Sequence, residues 1–281
     1  MNNKFLVSAE WLNNHSGRKN LKIVETPWKE DRYQRAHIKG ARLLPWHSYL
    51  KAFDESGNRL PHVLSPEDFV HVLSKLGINA EDEVVAYDDF HGLFASRFWW
   101  VSRYYGFNNV KILNGGWHAW VANAFPVAIE SAEHAEGSDF RPRATQEMNM
   151  NLDELKATFQ SDKIQVWDTR RSGEYDGTEE TSNRRNGHIP GAINLEWKEL
   201  LEKETHPGSP RFLKPLEEIE SMLKKIGITK EKTIVTHCQA SIRAAFGSLV
   251  LEMLNYPNHR MYDAAMAEWA NRYDTPLSTE E

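Results

Sequence analysis

The sequence predicts an α/β fold built as two tandem domains, each a mostly parallel sheet flanked by helices. Three observations predict it. The chain has 281 residues, nearly twice a common domain size of roughly 150. Short β-branched runs alternate with runs at helical spacing, the pattern of strand–helix–strand units. The two halves also repeat each other. Residues 36–46 (Ala-His-Ile-Lys-Gly-Ala-Arg-Leu-Leu-Pro-Trp) return as 187–197 (Gly-His-Ile-Pro-Gly-Ala-Ile-Asn-Leu-Glu-Trp), at an offset of 151 (188 − 37 and 197 − 46).

Taken in order, Ser8 is placed to N-cap a helix through Trp11 and Leu12. Residues 21–24 read as a strand. Ser65-Pro66-Glu67-Asp68 opens a helix with a cap, a proline in the first turn and acids against the dipole. Its apolar face is Phe69, Val72, Leu73 and Leu76. The second half answers with Pro215 and the face Ile219, Met222, Leu223 and Ile226. Both helices stop at a glycine, Gly77 and Gly227. Strands follow at 84–87 and 234–237. Phe98, Trp99, Trp100 and Val101 read as core of the next helix. A strand at 110–113 leads into Asn114-Gly115-Gly116-Trp117, echoed by 260–266. The polar, aperiodic stretch near 128–150 reads as a linker. Asn151 and Glu154 form a near capping-box start, and 163–167 is a strand ending at Asp168. The domains are therefore 1–128 and 150–281, with 129–149 between them.

Composition excludes several classes. A net charge of −6 and a pI near 6.1 disfavour a nucleic-acid surface. One cysteine cannot form an internal disulfide, which favours a reducing compartment. The N-terminus lacks the apolar segment of a secretory signal, and no run approaches the ~20 apolar residues of a membrane span. The expectation is a cytoplasmic enzyme, with no nucleic acid and no membrane among its partners. Scattered histidines and one thiol lack metal-ligand spacing, so neither a metal nor a cofactor is expected.

The chemistry centres on Cys238. It follows the apolar run Thr233–Thr236 and precedes a helix beginning near Ile242 or Arg243. Free amides at the helix start and the positive end of its dipole favour an anion there. Together with the charge of Arg243 they are expected to favour the nucleophilic thiolate over the thiol. Four residues (Gln239, Ala240, Ser241, Ile242) separate Cys238 from Arg243, where cysteine phosphatases have five. The smaller cradle suits one sulfur better than a phosphoryl group. Without the repeat, a lone Cys is commonly a core residue.

On these residues the chain resembles the rhodanese family of sulfurtransferases in its tandem two-domain form. The resemblance rests on Cys238-Gln-Ala-Ser-Ile-Arg243 and on the duplicated frame, in which Asp88 stands where Cys238 does. It covers nearly the whole chain. It implies a non-catalytic first domain and a catalytic second one. Cys238 would take the outer sulfur of a donor as a persulfide and pass it on by a ping-pong route. Loop residues Gln239, Ala240, Ser241 and Ile242, with Arg243, would bind the donor, and Arg184 or Arg185 would meet its charge. Asp168 and Arg170 would support the loop. His37 matches the family histidine in a supporting place, and Glu25 stands for an acid beside it; recurrence as His188 makes a structural role its default. His237 is expected to pack locally.

Two donors compete within the resemblance. Mercaptopyruvate enzymes typically carry a serine two residues after the Cys, where this chain has Ala240. Thiosulfate enzymes often carry a loop cation, which Arg243 supplies. Thiosulfate, or another small anionic sulfur donor, is the expected substrate, with 3-mercaptopyruvate as the alternative. A cysteine phosphatase and a non-catalytic sulfur carrier rank lower. The acceptor is a thiol or cyanide, with thioredoxin or a sulfur carrier protein as candidates. Three departures concern the loop's shape: Ser241 where many members have Gly, Ala264-Ala265 for a glycine pair, and Met266 for a frequent Trp. If position 241 needs φ > 0, Ser adds strain of roughly 1 kcal/mol.

Overall fold

The computed structural model describes residues 4–44, 50–133 and 136–279. The chain divides into two compact units, Met1–Thr145 with Glu202–Leu213, and Gln146–Leu201 with Lys214–Glu281.

In the first unit the strands are β1 (Leu6–Val7), β2 (Leu21–Glu25), β3 (His37–Ile38), β4 (Ala41–Leu43), β5 (Glu83–Tyr87), β6 (Val110–Leu113) and β7 (Val127–Ala128). Five form a sheet in the order β1-β6-β5-β2-β4, parallel throughout; β3 and β7 pair antiparallel apart from it. All five residues of β5 are buried, as expected for a parallel strand covered on both faces. The helix Pro66–Lys75 begins where predicted: the Ser65 hydroxyl accepts the Asp68 N–H. Phe69, Val72, Leu73 and Leu76 are buried. The helix Leu93–Tyr104 is buried all round, with Phe98, Trp99, Trp100 and Val101 in the core.

The second unit has β8 (Ile164–Asp168), β9 (Ile193–Asn194), β10 (Thr233–His237) and β11 (His259–Met261), ordered β11-β10-β8-β9 and again parallel. Asn151 and Glu154 complete a capping box at the helix Leu152–Thr158, and the helix Ile242–Met253 follows β10. Gly77 and Gly227 both adopt positive φ beyond their helices.

The repeated His-Ile-x-Gly-Ala element packs alike in each unit. His37 stacks on Tyr33 at 3.8 Å and His188 on Tyr175 at 3.7 Å, and each Nδ1 lies against the backbone carbonyl of its tyrosine. The repeated Trp46 lies outside the described residues. Among those described, no helix is long and apolar enough to cross a membrane.

Candidate active site

Parallel strands bring their C-terminal ends together, which is where ligands bind in α/β sheets. In the second unit β8 and β10 are in register, with Asp168 opposite His237. Cys238, the next residue, is 1% exposed. Thr169 ties the two strand ends through its N–H and hydroxyl, both donating to the His237 carbonyl at 3.0 and 2.9 Å. The loop beyond Cys238 is held by the segment after β11: the amides of Met266 and Ala267 donate to the carbonyls of Cys238 and Gln239.

Ser241 caps the following helix in the left-handed region, φ +64. Among the described residues the N–H groups of Ser241, Ile242, Arg243 and Ala244 have no acceptor. Ala265 also takes positive φ, +57, as Gly116 does in the first unit; Ala264 is right-handed where Gly115 is left-handed.

The charged residues around this loop are paired. Arg170 forks onto Asp168 through Nε and Nη2, at 3.0 and 2.7 Å, and also donates to the Gly187 carbonyl. Burial opposes ionisation of Asp168, but His237, 3.6 Å away, and the Arg170 charge hold its carboxyl below the usual range. His237 is fully buried, neither ring nitrogen has a hydrogen-bond partner among the described residues, and burial pushes its pKa down to about 4. Arg243 forks onto Glu174, at 2.5 and 2.9 Å. Burial opposes the Arg243 charge, yet the Glu174 hydrogen bonds and the neighbouring Cys238 charge hold its pKa above the ordinary value. The anion that a cation at a helix start calls for is thus a residue of the chain itself.

The other expected site residues separate into two groups. Gln239 exchanges two amide hydrogen bonds with Asn183, at 3.0 and 2.7 Å. Asn271 donates to the same Asn183 carbonyl and accepts the Arg184 N–H. The Arg184 side chain is exposed and makes no hydrogen bond or ion pair with a described residue. Arg185, expected with Arg184 to meet the charge of the donor, is engaged within the unit. Its guanidinium donates to the carbonyls of Trp269, Ala270, Arg272 and Thr275, which cap the C-terminus of the helix Ala265–Trp269. His37 sits in the first unit with both ring nitrogens against backbone carbonyls, Tyr33 at 2.8 Å and Glu130 at 3.1 Å. Glu174 was not anticipated as the partner of Arg243. The only signal for it was the unbalanced charge of that arginine.

The first unit places Asp88 after β5 as Cys238 follows β10. Its carboxylate accepts four amides, from Phe90, Gly92, Phe94 and Ala95, at 2.7–2.9 Å. Burial raises the carboxyl to about 6 in spite of them. Among the described residues no group of three or more His, Cys, Asp or Glu could hold a metal ion.

Comparison with known proteins bears on this geometry. The model of the rhodanese-like domain matches twice, over residues 8–123 and 151–272. The chain is 29% identical over 289 residues to a 3-mercaptopyruvate sulfurtransferase of Escherichia coli, covering 99% of each chain. It is 33% identical over 247 residues to a thiosulfate sulfurtransferase of Azotobacter vinelandii, covering 88% of this chain and 87% of that one. A crystal structure of SseA from Escherichia coli, described as a 3-mercaptopyruvate sulfotransferase, superposes with a TM-score of 0.79 at 28% identity, over 93% of this chain and 98% of the other.

Proposed function

The chain belongs to the rhodanese family of sulfurtransferases, and we propose that within it Cys238 takes the outer sulfur of thiosulfate as a persulfide and passes it to a thiol or cyanide. What supports this is a buried thiol at the head of a loop whose following amides, Ser241 to Ala244, have no acceptor among the described residues. In the first step the Cys238 thiolate attacks the outer sulfur of thiosulfate. A Cys238 S–S bond forms, the bond to the sulfonate sulfur breaks, and sulfite leaves with that electron pair. In the second step cyanide attacks the outer sulfur of the persulfide, thiocyanate departs, and the thiolate is restored. Charge balances in both steps without a cofactor. The amides of Ser241, Arg243 and Ala244 stabilise the anion at the outer sulfur. Asp168 and Arg170 brace the strand end, and Arg184, exposed and without a side-chain partner among the described residues, would meet the charge of the donor. The acceptor in the cell would be a thiol, such as thioredoxin or a sulfur carrier protein.

One observation favours 3-mercaptopyruvate instead: the loop cation Arg243 is already neutralised by Glu174. Against it, Ala240 offers no hydroxyl beside the thiol, and both ring nitrogens of His37 are engaged locally.

Intact mass after brief incubation with thiosulfate tests the reading. The native protein is expected to gain one sulfur atom, lost again on adding cyanide, while Cys238→Ser gains none. No gain from thiosulfate, with a gain from 3-mercaptopyruvate, transfers the assignment to that donor.

A further inference from the structure

Three arginines near the Cys238 loop are each paired with a carboxylate. Arg170 forks Asp168, Arg171 reaches Glu179 and Glu174, and Arg243 forks Glu174. The Arg243–Glu174 pair is the one that touches the loop's own helix. Glu174 projects from the short helix Ser172–Asp176, its side chain 5% exposed against 16% for Arg243. The fork uses both carboxylate oxygens, a geometry stronger than a single contact. Screening by solvent is weak at that burial. The charged groups facing Glu174 are Arg243, Arg171 and Arg170; those facing Arg243 are Glu174, Cys238 and Asp168.

We infer that Glu174 is a specificity-determining residue, which withholds the Arg243 charge from the Cys238 loop and so lowers the preference for doubly charged donors over singly charged ones. The inference rests on Cys238 as the sulfur-accepting thiol. Thiosulfate brings two negative charges and 3-mercaptopyruvate one. With Arg243 neutralised, the extra charge of thiosulfate is left to the amides and the exposed, solvent-screened Arg184. Specificity here comes from a repulsive element rather than an added contact.

Breaking the pair from its two sides separates this role from a structural one. Glu174→Gln leaves the arginine charged and free. Arg243→Gln leaves a buried carboxylate facing the donor. The readouts are the ratio of kcat/KM for thiosulfate to that for 3-mercaptopyruvate, and the calorimetric Kd of thiosulfate in a Cys238→Ala background, which needs no turnover. Glu174→Gln is expected to raise the ratio about tenfold and tighten thiosulfate binding, an opposite charge nearby being worth that order; Arg243→Gln is expected to move both the other way. A ratio and Kd that stay fixed, or that move in the same direction in both variants, overturn the inference. If circular dichroism finds one variant unfolded, the sign of the other decides. If the native protein loads sulfur from neither donor, the donor assignment fails, while the Kd still decides the role of Glu174.

Discussion

The loops after β5 and β10 are two versions of one device. Each joins a buried parallel strand to a buried helix of twelve residues. Each ends in a left-handed cap, Gly92 at φ +94 and Ser241 at φ +64. Each has its first carbonyl tied down from a later segment, by Trp117 in one and Met266 in the other. They differ in content and by one residue, since five residues (88–92) stand where the second unit has four (238–241). The Asp88 oxygens lie two bonds beyond Cβ, as the outer sulfur of a Cys238 persulfide would. The first unit thus holds its own carboxyl group on loop amides, while amides at the start of the second unit's helix have no acceptor among the described residues. On the proposed reading both loops cradle an anion, fixed on Asp88 in one and exchangeable on Cys238 in the other.

Removing the fixed anion is the most direct way to break the comparison. Asp88→Ala leaves four amides, three of them buried, without an acceptor. Each costs at least about 1 kcal/mol, so the loss is expected to be about 4 kcal/mol, read as a lowered midpoint in urea denaturation. A loss under ~1 kcal/mol would mean that the amides find other partners and that the cradle does not need an anion.

The second loop responds to acid through its own neighbour. The folded-state pKa of His237, about 4, lies below the unfolded value near 6.5. The unfolded chain therefore takes up the proton first. The contribution of neutral His237 is complete above about pH 6.5 and is lost as pH falls toward 4. That amounts to about 3 kcal/mol. Denaturation midpoints of native protein and His237→Asn, compared between pH 7 and 4.5, are expected to converge as the pH drops. Parallel midpoints across that range would show that His237 takes up its proton inside the folded unit.

How much of this was legible follows from which interactions are local. Helix starts at Ser65 and Asn151, stops at Gly77 and Gly227, and the strand–Cys–helix frame are written in neighbouring residues, so they could be read. The Arg243–Glu174 fork joins positions 69 residues apart, and no periodicity links them. Arg184 and Arg185 are adjacent in an aperiodic loop, and only the packed position of the helix Ala265–Trp269 turns one into a cap and leaves the other in solvent. The boundary near residue 128 relied on polarity alone, whereas residues up to 145, and 202–213, cluster with the first unit. The same polarity is compatible with a linker or with chain wrapped on a surface.

The smallest expected effect sharpens the comparison at its caps. The first unit uses glycine for the left-handed cap and the second uses serine, whose Cβ is disfavoured there by about 1–2 kcal/mol. The Ser241 hydroxyl donates to the Ala240 carbonyl at 2.6 Å, which offsets part of that strain. Glycine also gains more freedom on unfolding, which offsets part of the relief. Ser241→Gly is therefore expected to stabilise the protein by only about 0.5 kcal/mol, measured as a small rise in urea midpoint at unchanged slope. If sulfur loading by thiosulfate slows in this more stable variant, the strained serine holds the amides at their working angle, and the two caps differ for function. If loading is unchanged, the serine is tolerated strain, and the fork of Arg243 on Glu174 is what fixes the start of that helix.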